Sequence, residues 1–313
     1  MSKDRKALHE YRAPKYWPAW IGLGCMRLIC LLPHRVGLGI GKAIGRLAHR
    51  LGATRRGIVR RNIELCFPEL TIEERNQLAR QHFEALGMSI IELCLSQWAS
   101  DDKIKALTSI EGLDHLEGPL QDGKGIILLG AHFTTLEVTG RAIGLSGIPS
   151  FAAIYRRNRN EFATEFLRTG RERSAEVMIE KRDIKSMVRK LLSGGIVWYA
   201  PDQSYNRKGA EVVPFFGVPC MHTTATSVLA RLGRATVVPI FQQRLPDGKY
   251  VVKLHPPLKD FPGSDPVEDV MKYMRVLEEA VRACPEQYFW IHRKFKDLPE
   301  GHEDYYADLD AAK

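Results

Sequence analysis

From about residue 105 the sequence alternates short apolar runs with segments of helical spacing, and this alternation constrains the fold more than any other feature. Ile126–Leu129, Phe151–Tyr155, Ile196–Ala200, Thr236–Gln242 and Tyr250–Leu254 read as strands. Between and around them, residues 134–146, 160–173, 183–193, 222–232 and 267–283 read as helices. Such alternation implies an α/β fold: a mixed, largely parallel sheet flanked by helices. Upstream, Thr71-Ile72-Glu73-Glu74 is a good helix start. Leu78, Phe83, Leu86, Ile90, Ile91 and Cys94 carry helical spacing through residues 71–98. Ligands of such sheets usually bind at the loops that follow strands.

The charge is unevenly placed. Residues 1–61 hold 14 Lys and Arg against Asp4 and Glu10, a local net of +12. The other 252 residues hold 32 basic and 35 acidic residues, a net of −3. A basic segment meets either nucleic-acid phosphates or anionic lipid headgroups. Here the cations are interleaved with tryptophans and apolar stretches, which favours a membrane and argues against nucleic acid. Trp17–Leu32 (WPAWIGLGCMRLICLL) contains one charge, Arg27, in 16 residues. A span needs roughly 20 apolar residues. The segment is therefore expected to be an N-terminal hydrophobic membrane helix. It is either a short tilted anchor whose Arg27 snorkels, or a helix in the interface with Tyr16, Trp17 and Trp20 at headgroup depth. Arg55, Arg56, Arg60 and Arg61 belong on the cytoplasmic side by the positive-inside rule. The expected organisation is a basic membrane-anchoring segment over 1–61, one catalytic domain over 62–305 and a tail over 306–313.

Six cysteines, at 25, 30, 66, 94, 220 and 284, form no C-x-x-C pair and no zinc spacing, so reduced thiols facing the cytoplasm are expected. There is no nucleotide loop, no H-E-x-x-H and no G-x-S-x-G elbow. Chemistry without a metal, nucleotide or other cofactor follows as an expectation.

His132 comes directly after the strand ending at Leu129, with Gly130-Ala131 as the turn, and Thr134 looks like the start of a helix. Two residues five apart on one continuous helix point about 140° away from each other. His132 and Glu137 can therefore meet only if the first lies in the loop and the second in the opening helical turn. Glu137 could then hold one imidazole nitrogen and leave the other free to take a proton from a hydroxyl. The competing reading of Thr134-Thr135-Leu136-Glu137 is a capping box, in which Glu137 merely binds a backbone N–H.

Through GAHFTTLE, an H-x4-[DE] motif, the chain resembles the late acyltransferases of lipid A biosynthesis, within the lysophospholipid-acyltransferase-like superfamily. The resemblance spans roughly residues 14–301 and rests on a series of segments in order. They include PKYWPAWIGLGCMRLICLLPHR, RRNIELCFPEL, YRRNRNEFATEFLRTGRER, GGIVWYAPDQSY, VVPFFGVP and CPEQYFWIHRKFKDLPEG. It implies transfer of a fatty acyl group, lauroyl by resemblance, from acyl carrier protein to a hydroxyacyl chain of a Kdo-bearing lipid A precursor. The site would be the cytoplasmic face of the bacterial inner membrane. His132 would be the general base and Glu137 its orienting acid. The tetrahedral oxyanion needs donors, which the sequence does not name. Other acceptors, a glycolipid or a lysophospholipid, stay open, as does a non-catalytic basic membrane-surface protein.

The same resemblance assigns Arg156 and Arg171 to substrate binding, where arginine forks suit phosphates and carboxylates. A solvated helix face is the alternative for both. Asp202 and Gln203 follow a strand end, which suits either a site or ordinary turn chemistry. His292, Arg293, Lys294 and Lys296 form a basic cluster that would face phosphates, acidic carrier protein or solvent. Arg157 and Asn158 depart from relatives in which a proline often follows the first arginine, leaving that loop's shape open.

Overall fold

The computed structural model describes residues 6–156 and 160–311, so the expected departure at Arg157 and Asn158 lies outside the described residues. Four helices lead the chain: α1 (Trp17–Ile29), α2 (His34–Leu51), α3 (Ala53–Cys66) and α4 (Ile72–Trp98). There follow α5 (Asp101–Leu107), β1 (Thr108–Glu111), α6 (Glu117–Gln121), β2 (Ile126–Leu129) and α7 (Leu136–Gly144). Next come β3 (Phe151–Tyr155), α8 (Glu161–Arg171), β4 (Val177–Glu180), α9 (Ile184–Leu192) and β5 (Ile196–Tyr199). The chain continues with β6 (Ala210–Phe215), β7 (Val218–Thr223), α10 (Ala225–Gly233), β8 (Thr236–Arg244), β9 (Tyr250–Leu254), α11 (Pro266–Ala283) and α12 (Ala307–Ala311).

Seven strands form one sheet in the order β1-β9-β8-β2-β5-β3-β4, and β6 and β7 form a separate antiparallel hairpin. Every neighbouring pair in the large sheet is parallel except β8 and β9. The central strand β2 is buried at all four positions. Its alternate residues point to opposite faces, as a strand's period of two requires. Ile127 and Leu129 join a core shared with α3, α9, α10 and α11, while Ile126 and Leu128 join a second core under α7. Helices on both faces are what lets a parallel sheet run as unbroken apolar stretches.

The expected capping box at α4 forms: the Glu74 N–H donates to Thr71 Oγ1 at 3.3 Å, and the Thr71 N–H donates to Glu74 Oε2 at 2.7 Å. A close crossing of α2 over α4 depends on glycine. A Cβ on Gly45 would meet the Phe83 carbonyl oxygen at 2.1 Å, and one on Gly87 would meet the Gly41 carbonyl oxygen at 2.0 Å. Only backbones without side chains approach this closely.

A spanning helix at the N-terminus is not found. No helix among the described residues is long and apolar enough to cross a membrane. The apolar run of residues 17–32 is cut by a turn after Ile29, leaving a 13-residue α1. At 1.5 Å per residue that is roughly 20 Å, short of the ~30 Å hydrocarbon core. The Arg27 guanidinium lies 5.5 Å from the Trp98 ring centroid. Tyr16 and Trp20 pack on Phe162 of α8, whereas Trp17 is exposed. The domain boundary expected at 61/62 falls inside α3, whose Ile58, Val59 and Ile63 share the main core. Likewise Tyr306, at the head of the expected tail, is buried, and its hydroxyl donates to Asn62 Oδ1.

Candidate active site

β2 and β5 are adjacent parallel strands, with Leu129 opposite Tyr199. His132 lies three residues beyond Leu129, and Asp202 three residues beyond Tyr199. The register thus delivers an imidazole and a carboxylate to the same, C-terminal end of the two strands. His132 Nδ1 lies 2.5 Å from Asp202 Oδ1, and the His132 backbone N–H donates to Asp202 Oδ2 at 3.0 Å. One carboxylate therefore fixes both the ring and the backbone that carries it. The loop is held from the other side by the C-terminal segment. Phe289 N–H donates to the His132 carbonyl at 3.0 Å, and Thr134 N–H donates to the Gln287 carbonyl at 2.8 Å. The Tyr273 hydroxyl donates to the Gly130 carbonyl at 2.8 Å.

Electrostatics follow from this geometry. Burial alone would push the Asp202 pKa up, but the His132 charge, their hydrogen bond and the Lys294 ammonium hold the carboxyl well below its ordinary range. Lys294 is itself buried and donates to the Asp202 carbonyl at 2.5 Å. For His132, burial disfavours the imidazolium, yet the charge and hydrogen bond of Asp202 outweigh it and raise the pKa. Arg171 and Lys181 pull the other way. A carboxylate facing Nδ1 requires the proton there in the neutral ring. That leaves Nε2, which has no hydrogen-bond partner among the described residues, as the basic nitrogen.

The carboxylate that faces the imidazole is that of Asp202, and Glu137 pairs elsewhere. Helix α7 starts after Thr135, so His132 does lie in a loop and Glu137 in the first turn, as the pairing would need. The Glu137 carboxylate is nevertheless gripped by the guanidinium of Arg171: Nε donates to Oε2 at 3.1 Å and Nη2 to Oε1 at 2.5 Å. This two-pronged fork, with Glu137 18% exposed, raises the Arg171 pKa through the neighbouring negative charge. The capping box over Thr134–Glu137 is not formed either: the helix cap is Thr135, the Thr134 N–H donates to the Gln287 carbonyl, and Thr134 Oγ1 has no partner among the described residues.

His132 opens onto a cavity of about 620 Å³ between the sheet, α4, α7 and α8. Its apolar lining includes Ile90, Leu93, Leu136, Phe151, Leu167 and Trp198. Glu137, Arg156, Arg171 and Gln203 line the same cavity, so five of the six expected site residues converge there; Asp202 stands behind His132 rather than in the wall. Lys181, which the sequence reading missed, also lines it. The C-terminal basic cluster divides: Lys294 faces inward, Arg293 pairs with Asp310, and Lys296 lies 3.0 Å from Asp297. Among the described residues, no group of three or more His, Cys, Asp or Glu side chains could hold a metal ion.

A base–carboxylate pair opening onto a cavity with both apolar and cationic lining suits acyl transfer, and sequence similarity decides the matter. Residues 5–297 match the family model of the bacterial lipid A biosynthesis acyltransferase. The chain belongs to this family. It is 37% identical over 292 residues to the lipid A biosynthesis lauroyltransferase of Escherichia coli (strain K12), covering 92% of this chain and 94% of that protein. With the palmitoleoyltransferase of the same organism it shares 35% over 304 residues, covering 96% and 98%. With the myristoyltransferase it shares 27% over 296 residues, covering 93% and 91%. This lipid A acyltransferase is thus similar to three enzymes whose names differ in the acyl chain, and the similarity runs nearly end to end.

Proposed function

We propose that this acyltransferase moves a fatty acyl chain, lauroyl by preference, from the thioester of acyl carrier protein to a hydroxyl on a hydroxyacyl chain of a Kdo-bearing lipid A precursor. The observation that carries the mechanism is the placement of His132, backed by Asp202, in the wall of the cavity. An acceptor hydroxyl has a pKa far above neutral and needs a base as it attacks. His132 Nε2 takes that proton, and Asp202 steadies the imidazolium that results. Glu137 acts at one remove: it holds Arg171 in the cavity wall and neutralises it. Arg156 and Lys181, both exposed residues of the cavity lining, are suited to the phosphates and carboxylates of the acceptor.

The reaction is placed on the cytoplasmic face of the bacterial inner membrane. Support comes from α1 and α2, where Trp17, Ile21, Leu28, Val36, Leu47 and Leu51 are exposed beside a strongly basic stretch. Such a surface fits a helix pair lying in the headgroup region rather than crossing it.

The test is an assay of purified enzyme with acyl carrier protein thioesters of graded length and a tetra-acylated, Kdo-bearing precursor, read by mass spectrometry. Gain of one acyl chain, fastest from the lauroyl donor, is expected. Acylation of a lysophospholipid or another glycolipid in preference to this precursor would overturn the acceptor assignment.

A further inference from the structure

Trp198 sits in β5 with its indole held between two glycines. A Cβ on Gly130 would meet the indole Nε1 at 2.7 Å, and one on Gly140 of α7 would meet Cζ3 at 3.0 Å. Phe151 packs against the same ring, centroids 5.9 Å apart. Gly130 lies two residues before His132, so the clamp brings the indole N–H beside the loop that carries the base. The buried Nε1 nonetheless has no hydrogen-bond partner among the described residues. Thr134, two residues after His132, repeats the pattern: it is 7% exposed and its Oγ1 has no partner. Both side chains line the cavity that His132 lines.

A buried donor left unpaired costs about 1–3 kcal/mol, and native structures pair nearly all of them. Thr134 follows His132 by two residues, Trp198 packs on Gly130 two residues before it, and both line one cavity, where an acceptor on the bound substrate can pair them. A saturated acyl chain carries a single oxygen acceptor, its carbonyl. The acceptor hydroxyl is already claimed by His132 Nε2.

We infer that Trp198 Nε1–H and Thr134 Oγ1–H are the donors that bind the thioester carbonyl oxygen and stabilise the oxyanion of the tetrahedral intermediate. The inference rests on the reaction proposed above. There, the hydroxyl oxygen bonds to the carbonyl carbon as its proton passes to His132 Nε2, and the C=O π pair moves onto oxygen. On collapse the C=O re-forms and the C–S bond breaks. The carrier thiolate leaves with the proton from His132, so the base is restored. Donors aimed at that oxygen act where charge develops. The glycine at 130 fits the same assignment, because a side chain there would collide with the indole Nε1 and displace it.

The experiment compares turnover of full-length wild type, Trp198→Phe, Thr134→Val and His132→Ala with a lauroyl-carrier donor. Loss of one such donor lowers kcat by about 10²–10³-fold, with the donor KM changed far less, and each of the two variants is expected to show this. Turnover within about 3-fold of wild type in both variants, with His132→Ala inactive, overturns the donor assignment alone. Wild-type turnover in His132→Ala instead overturns the underlying function. Should Trp198→Phe not fold, ¹⁵N-indole NMR of wild type decides. The Trp198 resonance, assigned by substituting the other four tryptophans, should move when a ketone analogue of the acyl carrier thioester binds. It should stay with the thioether analogue that lacks the carbonyl. Identical spectra with the two analogues would contradict the assignment.

Discussion

Asp202 accepts twice from His132, once from the ring at Nδ1 and once from the backbone N–H, through its two carboxylate oxygens. The pair is assembled by strand register: β2 and β5 are neighbours, and the two residues lie equally far beyond a matched pair. Asp202→Asn keeps the shape and removes the charge that selects the productive tautomer. In serine proteases the equivalent change costs about 10⁴ in kcat. A fall of about 10³–10⁴ is expected here in single-turnover acyl transfer, with donor affinity little altered. A loss under tenfold would deny Asp202 its orienting role.

The pH dependence has a definite sign. His132 must be neutral to act as a base, and Asp202 raises its pKa above the ordinary imidazole value. The acid limb of kcat/KM should therefore lie above about pH 6.5. In Asp202→Asn the limb should move to lower pH, because the charge that favours the imidazolium is gone. Glu137→Gln should move it in the same direction but less than Asp202→Asn does, because it only frees Arg171 to disfavour the imidazolium.

Glu137→Gln tests the part that this residue plays through Arg171. The substitution leaves the Arg171 guanidinium, 29% exposed, without its counter-charge in the cavity wall. Thermal or urea unfolding should show a loss of about 1–3 kcal/mol. Kinetics should show a raised KM for the acyl donor alongside any fall in kcat. Unchanged stability with a pH limb shifted as far as in Asp202→Asn would instead return Glu137 to the imidazole.

His82 in α4 is fully buried and hydrogen-bonds through Nδ1 to the Glu286 carbonyl at 3.1 Å. Burial lowers its pKa to about 4. Its folded pKa is depressed, so between the two values the unfolded chain binds the extra proton. The associated stability is fully present above about pH 6.5 and drains away as pH falls toward 4. Between pH 7 and pH 5 this amounts to about 2 kcal/mol. Urea unfolding of wild type should lose that much over the interval, and His82→Gln should lose correspondingly less.

The α1–α2 surface makes a further prediction. Leu47→Glu with Leu51→Glu places two negative charges on an exposed apolar face of α2 without touching the site. Co-flotation with vesicles containing anionic lipid should fall at least tenfold. Retention at wild-type levels would remove this surface from the membrane account.

The strands of the sheet's centre were legible because each is an apolar run of strand length bounded by turns; Ile126–Leu129 and Tyr250–Leu254 occur where the pattern predicts them. Strands β1 and β4, by contrast, were missed. Thr108–Glu111 and Val177–Glu180 lie at the sheet's two edges and carry polar or exposed residues, which dilutes the apolar signal. The β6–β7 hairpin was hidden by Pro214 and Pro219, residues that normally argue against a strand. In the site, the motif pointed to His132 but assigned it the acid nearest in sequence. Asp202 is 70 residues away, and only the adjacency of β2 and β5 brings it close. Glu137 is instead claimed by Arg171, 34 residues on, a pairing no local spacing reveals. The apolar run of residues 17–32 suggested a membrane helix because hydropathy does not register the turn after Ile29.

The most direct test of the account is the acceptor-dependent rate of lauroyl transfer by purified His132→Ala, beside wild type, at a pH where the imidazole is neutral. If His132 removes the acceptor's proton, the rate falls by at least about 10²–10⁴-fold while the variant keeps wild-type unfolding behaviour. A well-folded His132→Ala that transfers the chain at close to the wild-type rate would contradict it.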